Sequence, residues 1–136
     1  MTAWGVTLAV KEIVMSQKVL IVDDSKMVRN LHGFMLQSAG YEIHEAENGS
    51  DAIEQLLRNK FDLIVTDVNM PQMDGYEFTR KAREVEGYEE VPIVIVSTES
   101  EAADKSKGFE AGANMYIVKP VKPEELVMNA KMLVQS

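Results

Sequence analysis

The residues best placed for chemistry are carboxylates that follow short apolar runs. Asp67 follows the run 63–66, which has the β-branched composition of a buried strand. Pro71 and the Asp-Gly pair at 74–75 then predict a turn. A carboxylate at the carboxyl end of a buried parallel strand lies where an open α/β sheet binds its ligands. The stretch around Asp67 is therefore the first candidate for a functional site.

Polar side chains follow other apolar runs in the same way. They are Asp23 and Asp24 after the first run, Ser97 after the fourth and Lys119 after the fifth. The carboxyl ends of parallel strands lie on one edge of a sheet, so these side chains are expected to meet near Asp67. Two unit charges ~4 Å apart repel by ~4 kcal/mol at an effective dielectric constant of ~20. Three carboxylates in one pocket therefore require either bound protons or a cation.

The donor atoms at these positions favour a hard cation. No His or Cys lies near them in the sequence, and carboxylate oxygens favour Mg²⁺, with Mn²⁺ as the alternative. A metal held by few carboxylates keeps coordination positions for phosphate oxygens. Lys119 and the Ser97 hydroxyl would complete a cradle for a phosphoryl group. The chemistry indicated is phosphoryl transfer to a carboxylate, with Asp67 as the nucleophile.

Five strand patterns alternate with five helix patterns along the chain. Strands are predicted at 18–22, 41–46, 63–66, 93–96 and 113–118. Helices are predicted from the N-cap Ser25 to Gly40, and at 50–59, 76–86, 102–111 and 124–134. Unbroken β/α alternation predicts an α/β protein with a doubly wound parallel sheet and helices on both faces.

Composition narrows the class of protein. A chain of 136 residues with 46% hydrophobic and 26% charged residues predicts one globular domain and argues against disorder. The formal net charge of −8 argues against direct nucleic-acid binding. The absence of cysteine excludes a disulfide framework and thiol catalysis. No apolar run approaches the ~20 residues of a membrane span, so we expect a cytoplasmic protein without membrane association.

The amino-terminal segment is set apart from this alternation. We expect residues 1–16 to be an extension and residues 17–136 to form the domain, with Met15 as the favoured natural start. A strand or helix packed on the domain, or a targeting segment, are the alternatives.

Four ordered motifs resemble a known family. VLIVDDSKMVR, DLIVTDVNMPQMDGYEF, PIVIVSTES and AGANMYIVKPV resemble the receiver domain of two-component response regulators, and most of all stand-alone chemotaxis receivers of the CheY type. The resemblance covers about residues 17–135. It implies a flavodoxin-like (βα)5 fold with five helices and the strand order 2-1-3-4-5.

The resemblance also implies roles for the acidic residues. Asp67 would be the phosphoacceptor. Mg²⁺ would be bound by Asp24, Asp67 and the backbone carbonyl of Asn69, with Asp23 acting mainly through water. Asn69 and Glu99 would lie at the rim of the site and tune the lifetime of the phosphorylated state.

Further residues would transmit phosphorylation to the rest of the domain. Lys119 would pair with the phosphoryl group, Ser97 would be the switch hydroxyl and Tyr116 the switch aromatic. The Lys119–Pro120 peptide bond would be cis. Simpler interpretations stay open: helix capping for Asp23 and Asp24, Thr98 in place of Ser97, core packing for Tyr116, and surface or satisfied side chains for His32 and His44.

The resemblance predicts a single-domain response regulator. Its phosphodonor would be a histidine kinase or a histidine phosphotransfer protein, and its protein target would bind the face of helix four, strand five and helix five. It would catalyse only its own phosphorylation and dephosphorylation, and would be a monomer or a dimer formed on phosphorylation. Since the chain ends soon after Lys122, we expect no DNA-binding domain.

Two other classes of protein share parts of this pattern. A haloacid-dehalogenase-like phosphatase would require Asp-x-Asp, whereas residues 67–69 read Asp-Val-Asn. A flavodoxin-like flavin binder would require a Ser/Thr/Gly-rich loop after the first strand, where Asp23 and Asp24 would repel the flavin phosphate.

Overall fold

The carboxyl ends of five parallel strands share one edge of a single sheet, called here the carboxyl edge. In the computed structural model, which describes residues 16–134, the strand order is β2-β1-β3-β4-β5. The strands are β1 (Lys18–Val22), β2 (Glu42–Ala46), β3 (Leu63–Thr66), β4 (Ile93–Ser97) and β5 (Met115–Val118). The helices are α1 (Lys26–Ser38), α2 (Gly49–Arg58), α3 (Gly75–Arg83), α4 (Ala102–Ala111) and α5 (Pro123–Leu133). The predicted α/β fold and strand order are confirmed.

The central strands are buried because helices cover both faces of the sheet. Every residue of β3 and β4 is buried, as expected for apolar parallel strands. Alternate residues of β1 point to opposite sides, so that Val19 and Ile21 join the cluster under α1 and α5, and Leu20 and Val22 join the cluster under α2 and α3. This double burial fixes the strand register and with it the positions of the residues at the carboxyl edge.

Side-chain caps fix where the helices begin after the strands. Ser25 accepts a hydrogen bond from the Val28 amide at 3.3 Å, as the predicted N-cap should. Asp74 caps α3 in the same way, accepting from the Glu77 amide at 2.8 Å. These caps hold the short connections at the carboxyl edge in defined conformations.

Two predicted elements are shorter in the structure by two or more residues. The predicted helix 76–86 is helical only to Arg83, because the chain then forms tight turns in which the Val85 amide donates to the Ala82 carbonyl at 3.1 Å. The predicted strand 113–118 begins at Met115, because the Ala113 amide still closes the end of α4 on the Gly108 carbonyl. Gly112 makes this helix ending possible with φ of 117°.

The opposite edge of the sheet, called here the amino edge, is held by the Arg83 guanidinium. Its nitrogen atoms donate to the Gly112 carbonyl at 2.6 and 3.0 Å, the Tyr88 carbonyl at 2.9 Å, the Val91 carbonyl at 2.5 Å and the Asn114 side-chain oxygen at 2.8 Å. A single planar group thus joins the segments that lead into β4 and β5.

A buried tyrosine supports the same amino edge. The Tyr88 hydroxyl donates to the Asn59 carbonyl at 2.5 Å and accepts from the Phe61 amide at 3.0 Å. It therefore satisfies two backbone groups in the segment that connects α2 to β3.

β2 is an outer strand of the described sheet and pairs with β1. Glu42 and Glu45 on this strand are exposed. Glu42 lies 2.6 Å from the His44 ring, and Glu45 accepts from Arg29 at 3.0 Å. The outer strand therefore carries charged side chains that are paired locally.

Within residues 16–134, none of the helices has the length and apolar character that crossing a membrane requires. The expectations for the extension 1–16 fall almost wholly on residues outside this range.

Candidate functional site

Three carboxylates converge at the carboxyl edge. Asp23 and Asp24 follow β1, Asp67 follows β3, and one oxygen of each lies within 4.8 Å of the others. Asp23 and Asp67 are only 3% and 8% exposed, whereas Asp24 faces solvent. Oxygen donors in this arrangement suit a hard divalent cation, with Asp24 on the accessible side. The predicted convergence of these residues is present.

Asp23 is held by Ser25, the N-cap of α1, and by Arg29 within that helix. The Ser25 amide donates to Asp23 Oδ1 at 2.9 Å, which orients the carboxylate. The Arg29 guanidinium donates to the Asp23 carbonyl at 2.6 Å. One face of the site is thus supported by α1 as well as by the sheet.

Asp67 is held at both its backbone and its side chain. Its amide donates to the Val22 carbonyl at 2.9 Å, which continues the pairing of β1 and β3 by one residue. The Val68 amide donates to Asp67 Oδ1 at 2.8 Å, and the Thr66 hydroxyl donates to the Asp67 carbonyl at 2.9 Å. The carboxylate therefore has a fixed orientation, with Oδ1 already bound to the backbone.

Gly75 lets α3 begin directly against the backbone of Asp67. Its amide donates to the Val68 carbonyl at 2.8 Å. A Cβ atom at this position would lie 2.0 Å from the Asp67 carbonyl oxygen, which no side chain could tolerate without a backbone shift. The Asp-Gly pair that predicts a turn therefore has a second role in this close approach.

Lys119 is the cation that faces the buried carboxylates. Its ammonium group lies 3.3 Å from Asp23 Oδ2 and 3.5 Å from Asp67 Oδ1. Its amide donates to the Ser97 carbonyl at 2.8 Å, which places it at the end of β5. The predicted cis peptide bond between Lys119 and Pro120 is present.

Burial dominates the electrostatics of Asp67. Its removal from water raises the pKa of the Asp67 carboxyl, and the charge of Asp23 raises it further. Lys119 and the hydrogen bond from the Val68 amide act in the opposite direction. The folded protein therefore holds Asp67 as an anion less readily than water would.

His32 lies behind this cluster on α1. It is 4% exposed, and burial lowers its pKa, with Lys119 lowering it further and Asp23 opposing the change. It is therefore not a surface residue, which was one of the two interpretations open for it. The neutral form of the His32 ring avoids repulsion from the nearby Lys119 ammonium group.

Ser97 and Thr98 have opposite surroundings. Ser97 is fully buried at the end of β4, and its Oγ accepts from the Glu99 amide at 3.0 Å, whereas Thr98 is exposed. Strand alternation thus turns the Ser97 hydroxyl towards the interior, on the same edge as Asp67.

Two tyrosines lie beneath the connection between β4 and α4. Tyr116 is 9% exposed, and its hydroxyl donates to the Glu99 carbonyl at 2.8 Å. The Tyr76 hydroxyl donates to the Asp104 carbonyl at 3.2 Å and lies 3.5 Å from the Tyr116 hydroxyl. Burial, followed by the interaction with Tyr116, raises the pKa of Tyr76.

Asn69 and Glu99 face each other at the mouth of the site. Both are exposed, and the Asn69 side-chain nitrogen lies 3.5 Å from Glu99 Oε1. The structure thus brings the two predicted rim residues together. The Asn69 carbonyl as a metal ligand stays a prediction.

Sequence reasoning assigned no role to Arg29 or Tyr76. Arg29 acts on a backbone carbonyl through a long side chain, and no spacing rule identifies such a partner. Tyr76 follows the turn that contains Gly75, where an aromatic residue reads as ordinary helix core. Its hydroxyl is the only feature of its side chain that could have suggested a polar role.

A response regulator receiver domain is the class of protein that this fold and site define. The family model for that domain matches residues 19–131, and the chain belongs to this family. Receiver domains are signalling modules of two-component systems rather than enzymes that turn over a separate substrate. The predicted family is confirmed, and the phosphatase and flavodoxin alternatives are dropped.

Similar solved structures include a chemotaxis response regulator and the receiver domain of a sensor histidine kinase. The structure of the chemotaxis response regulator CheY4 of Vibrio cholerae aligns with a TM-score of 0.83 and 38% identity, covering 88% of this chain and 99% of that one. The receiver domain of the sensor histidine kinase PA1611 of Pseudomonas aeruginosa aligns with a TM-score of 0.82 and 30% identity, covering 89% and 99%. That structure has a magnesium ion coordinated in its active-site cleft.

Curated relatives include longer proteins. The transcriptional regulatory protein SrrA of Staphylococcus aureus is 39% identical over 121 residues, which are 89% of this chain and 49% of SrrA. The chain thus spans about half the length of the curated relatives it matches.

Proposed function

We propose that this protein is a phosphorylation-controlled receiver in which Asp67 accepts a phosphoryl group from a phosphohistidine. The observation that carries the proposal is the meeting of the buried Asp67 carboxylate with the Lys119 ammonium at 3.5 Å, beside two further carboxylates. The donor would be a histidine kinase or a histidine phosphotransfer protein, as in the family to which the chain belongs.

The transfer requires one carboxylate oxygen as the nucleophile. Oδ1 of Asp67 is bound to the Val68 amide, so Oδ2 is the oxygen we expect to attack phosphorus. A new O–P bond forms while the P–N bond of the phosphohistidine breaks and its electron pair returns to the imidazole. Lys119 would then neutralise charge on the transferred phosphoryl oxygens.

A divalent cation fits the acidic residues of the site. Asp23, Asp24 and Asp67 supply hard oxygen donors within one cluster, and the Asn69 carbonyl is the additional ligand we propose. Bound Mg²⁺ would offset the repulsion among the carboxylates and the negative charge of the phosphoryl group. Mn²⁺ has the same ligand preference and is the alternative. The magnesium in the PA1611 receiver supports the choice.

The Ser97 hydroxyl is suited to sense the phosphoryl group. Its oxygen accepts from the Glu99 amide, so its own hydrogen can be donated to a phosphoryl oxygen on Asp67. Ser97 and Tyr116 would thus be the switch pair, coupled through Glu99, whose carbonyl accepts from Tyr116. Asn69 and Glu99 at the rim would tune access of water to the acyl phosphate.

The output would be a change in affinity for a protein target in the cytoplasm. We propose that the face of α4, β5 and α5 binds this target, because Tyr116 on β5 lies against α4. The pathway would be chemotaxis-like or a phosphorelay, with the protein acting as a monomer or as a dimer formed on phosphorylation. The likeness to CheY4 of V. cholerae supports the first pathway.

Phosphorylation by a small donor tests the assignment of Asp67. With Mg²⁺ and acetyl phosphate, intact-mass spectrometry should show one added phosphoryl group on the wild-type chain. The Asp67→Asn variant should show none, because it lacks the nucleophilic carboxylate. Asp51→Asn, a change at an acid in the first turn of α2, is the control and should be labelled like the wild type. Full labelling of Asp67→Asn would contradict the proposal.

A further inference from the structure

Tyr76 and Tyr116 come from different elements but share one buried cluster. Tyr76 lies in the first turn of α3 and Tyr116 on β5, and they pack together with Val68 and Ile95. The two residues are 8% and 9% exposed. Tyr116 is thus buried in a pocket that Tyr76 helps to form.

The two hydroxyl groups bind backbone carbonyls in the connection between β4 and α4 and in the first turn of α4. Tyr116 donates to the carbonyl of Glu99, which lies between β4 and α4, and Tyr76 donates to the carbonyl of Asp104 within α4. A hydroxyl has one hydrogen to donate but two lone pairs. The contact of 3.5 Å between the hydroxyls therefore requires one of the two tyrosines to share its hydrogen with the other oxygen.

The backbone of α4 leaves little room for the Tyr116 ring to lie elsewhere in this pocket. A Cβ atom on Gly108 would lie 2.9 Å from Cδ2 of Tyr116, so the ring rests directly on the helix. A shift of α4 relative to β5 would therefore change the space available to the ring. Because the Tyr76 hydroxyl binds α4 at Asp104, it can influence the orientation of Tyr116 through the helix as well as directly.

We propose that Tyr76 is a positioning residue whose hydroxyl holds Tyr116 in its buried orientation and fastens the first turn of α4. The inference rests on the proposed function, in which Tyr116 is the switch aromatic, and adds a residue on α3 to that switch. Tyr76 therefore biases the protein towards the orientation in which Tyr116 is bound to the Glu99 carbonyl.

The test measures the orientation of Tyr116 in the full, unphosphorylated chain. The protein is labelled with 3-fluorotyrosine, and the Tyr116 signal is identified as the ¹⁹F resonance lost in Tyr116→Phe. Broadening of that signal by a soluble nitroxide reports the ratio of outward to buried ring. Tyr76→Phe keeps the aromatic packing and removes one hydroxyl, so this ratio should rise about threefold to tenfold, the effect of one ordinary hydrogen bond.

Tyr88→Phe is the matched control, because Tyr88 is also a buried tyrosine with two backbone partners but lies at the amino edge. It should leave the Tyr116 ratio unchanged. An unchanged ratio in Tyr76→Phe, or an equal rise in Tyr88→Phe, would overturn the proposal. The measurement uses neither phosphate nor metal, so its result is separate from that of the acetyl phosphate experiment, which tests Asp67.

Discussion

The two edges of the sheet differ in how their charged side chains are paired. At the amino edge, the Arg83 guanidinium is surrounded by carbonyl and amide oxygens that accept its hydrogens. At the carboxyl edge, Asp23 and Asp67 are buried beside Asp24, and Lys119 is the cation that approaches them within residues 16–134. One edge surrounds its cation with hydrogen-bond acceptors, whereas the other leaves an excess of negative charge that a ligand can relieve.

This difference indicates that the carboxyl edge lowers the stability of the fold for the sake of function. Two unit charges no more than 4.8 Å apart repel by at least about 3.5 kcal/mol at an effective dielectric constant of about 20, and Lys119 offsets part of this repulsion. Among residues 16–134, the hydrogen bonds of Arg83 are all to uncharged oxygens, and no like charge approaches it comparably. Functional sites commonly contain such unfavourable interactions, and favourable interactions in the remainder of the fold compensate for them.

The largest effect should come from breaking the amino edge. Arg83→Ala should lower the free energy of unfolding by about 3 kcal/mol, because it leaves three part-buried carbonyl groups without their donor. Urea denaturation would measure the change, with Arg80→Ala as the control for an exposed arginine on the same helix. The folded fraction of Arg83→Ala should still accept phosphate from acetyl phosphate. A loss of less than about 1 kcal/mol would show that Arg83 does not hold this edge.

A smaller effect of opposite sign is expected at the carboxyl edge. The raised pKa of Asp67 means that its protonated form stabilises the fold at pH values below the unfolded pKa, and this contribution is lost as pH rises through the folded pKa. Neutral Asn at this position avoids the cost of the buried anion. Asp67→Asn should therefore raise the free energy of unfolding at pH 7 by about 2 kcal/mol.

Thermal melts at pH 7 would show this as a higher Tm for Asp67→Asn than for the wild type in the absence of divalent cations. Asp51→Asn serves again as the control and should leave Tm nearly unchanged. A lower Tm for Asp67→Asn would mean that the pairing of Asp67 with Lys119 outweighs the repulsion and the burial.

The smallest effect on stability should come from a bound cation that offsets the repulsion among the carboxylates. Mg²⁺ at ten times its Kd should stabilise the wild-type fold by about 1.4 kcal/mol through mass action. Asp24→Asn removes an exposed ligand without disturbing buried packing, so it should fold normally and lose most of this shift. Calorimetric melts with and without Mg²⁺ would compare the two proteins. An equal shift in both would exclude Asp24 as a ligand.

The carboxyl edge could be predicted from sequence because parallel strands bring their ends together. Once β1, β3 and β5 were identified, Asp23, Asp67 and Lys119 had to lie on the same edge of the sheet. The exact ends of helices and strands were harder to predict, since α3 ends at Arg83 in turns that depend on tertiary hydrogen bonds. The sequence pattern at 84–86 still reads as helix.

The amino edge could not be predicted in this way. Arg83 and its acceptor Gly112 are 29 residues apart, and no local pattern marks a guanidinium that binds carbonyl groups. The role of Tyr76 was equally hard to predict, because its ring belongs to the core and only its hydroxyl has a polar partner. Long side chains that act on backbone atoms are set by the assembled fold rather than by spacing in the chain.

The charged outer strand β2 has a consequence for the behaviour of the protein at high concentration. An outer strand offers unpaired backbone groups to which a strand from another copy could add. In a register that places Glu42 or Glu45 of a second copy opposite these acids, like charges directly opposite each other would oppose the pairing. The outer strand thus discourages aggregation through sheet extension, independently of the signalling site.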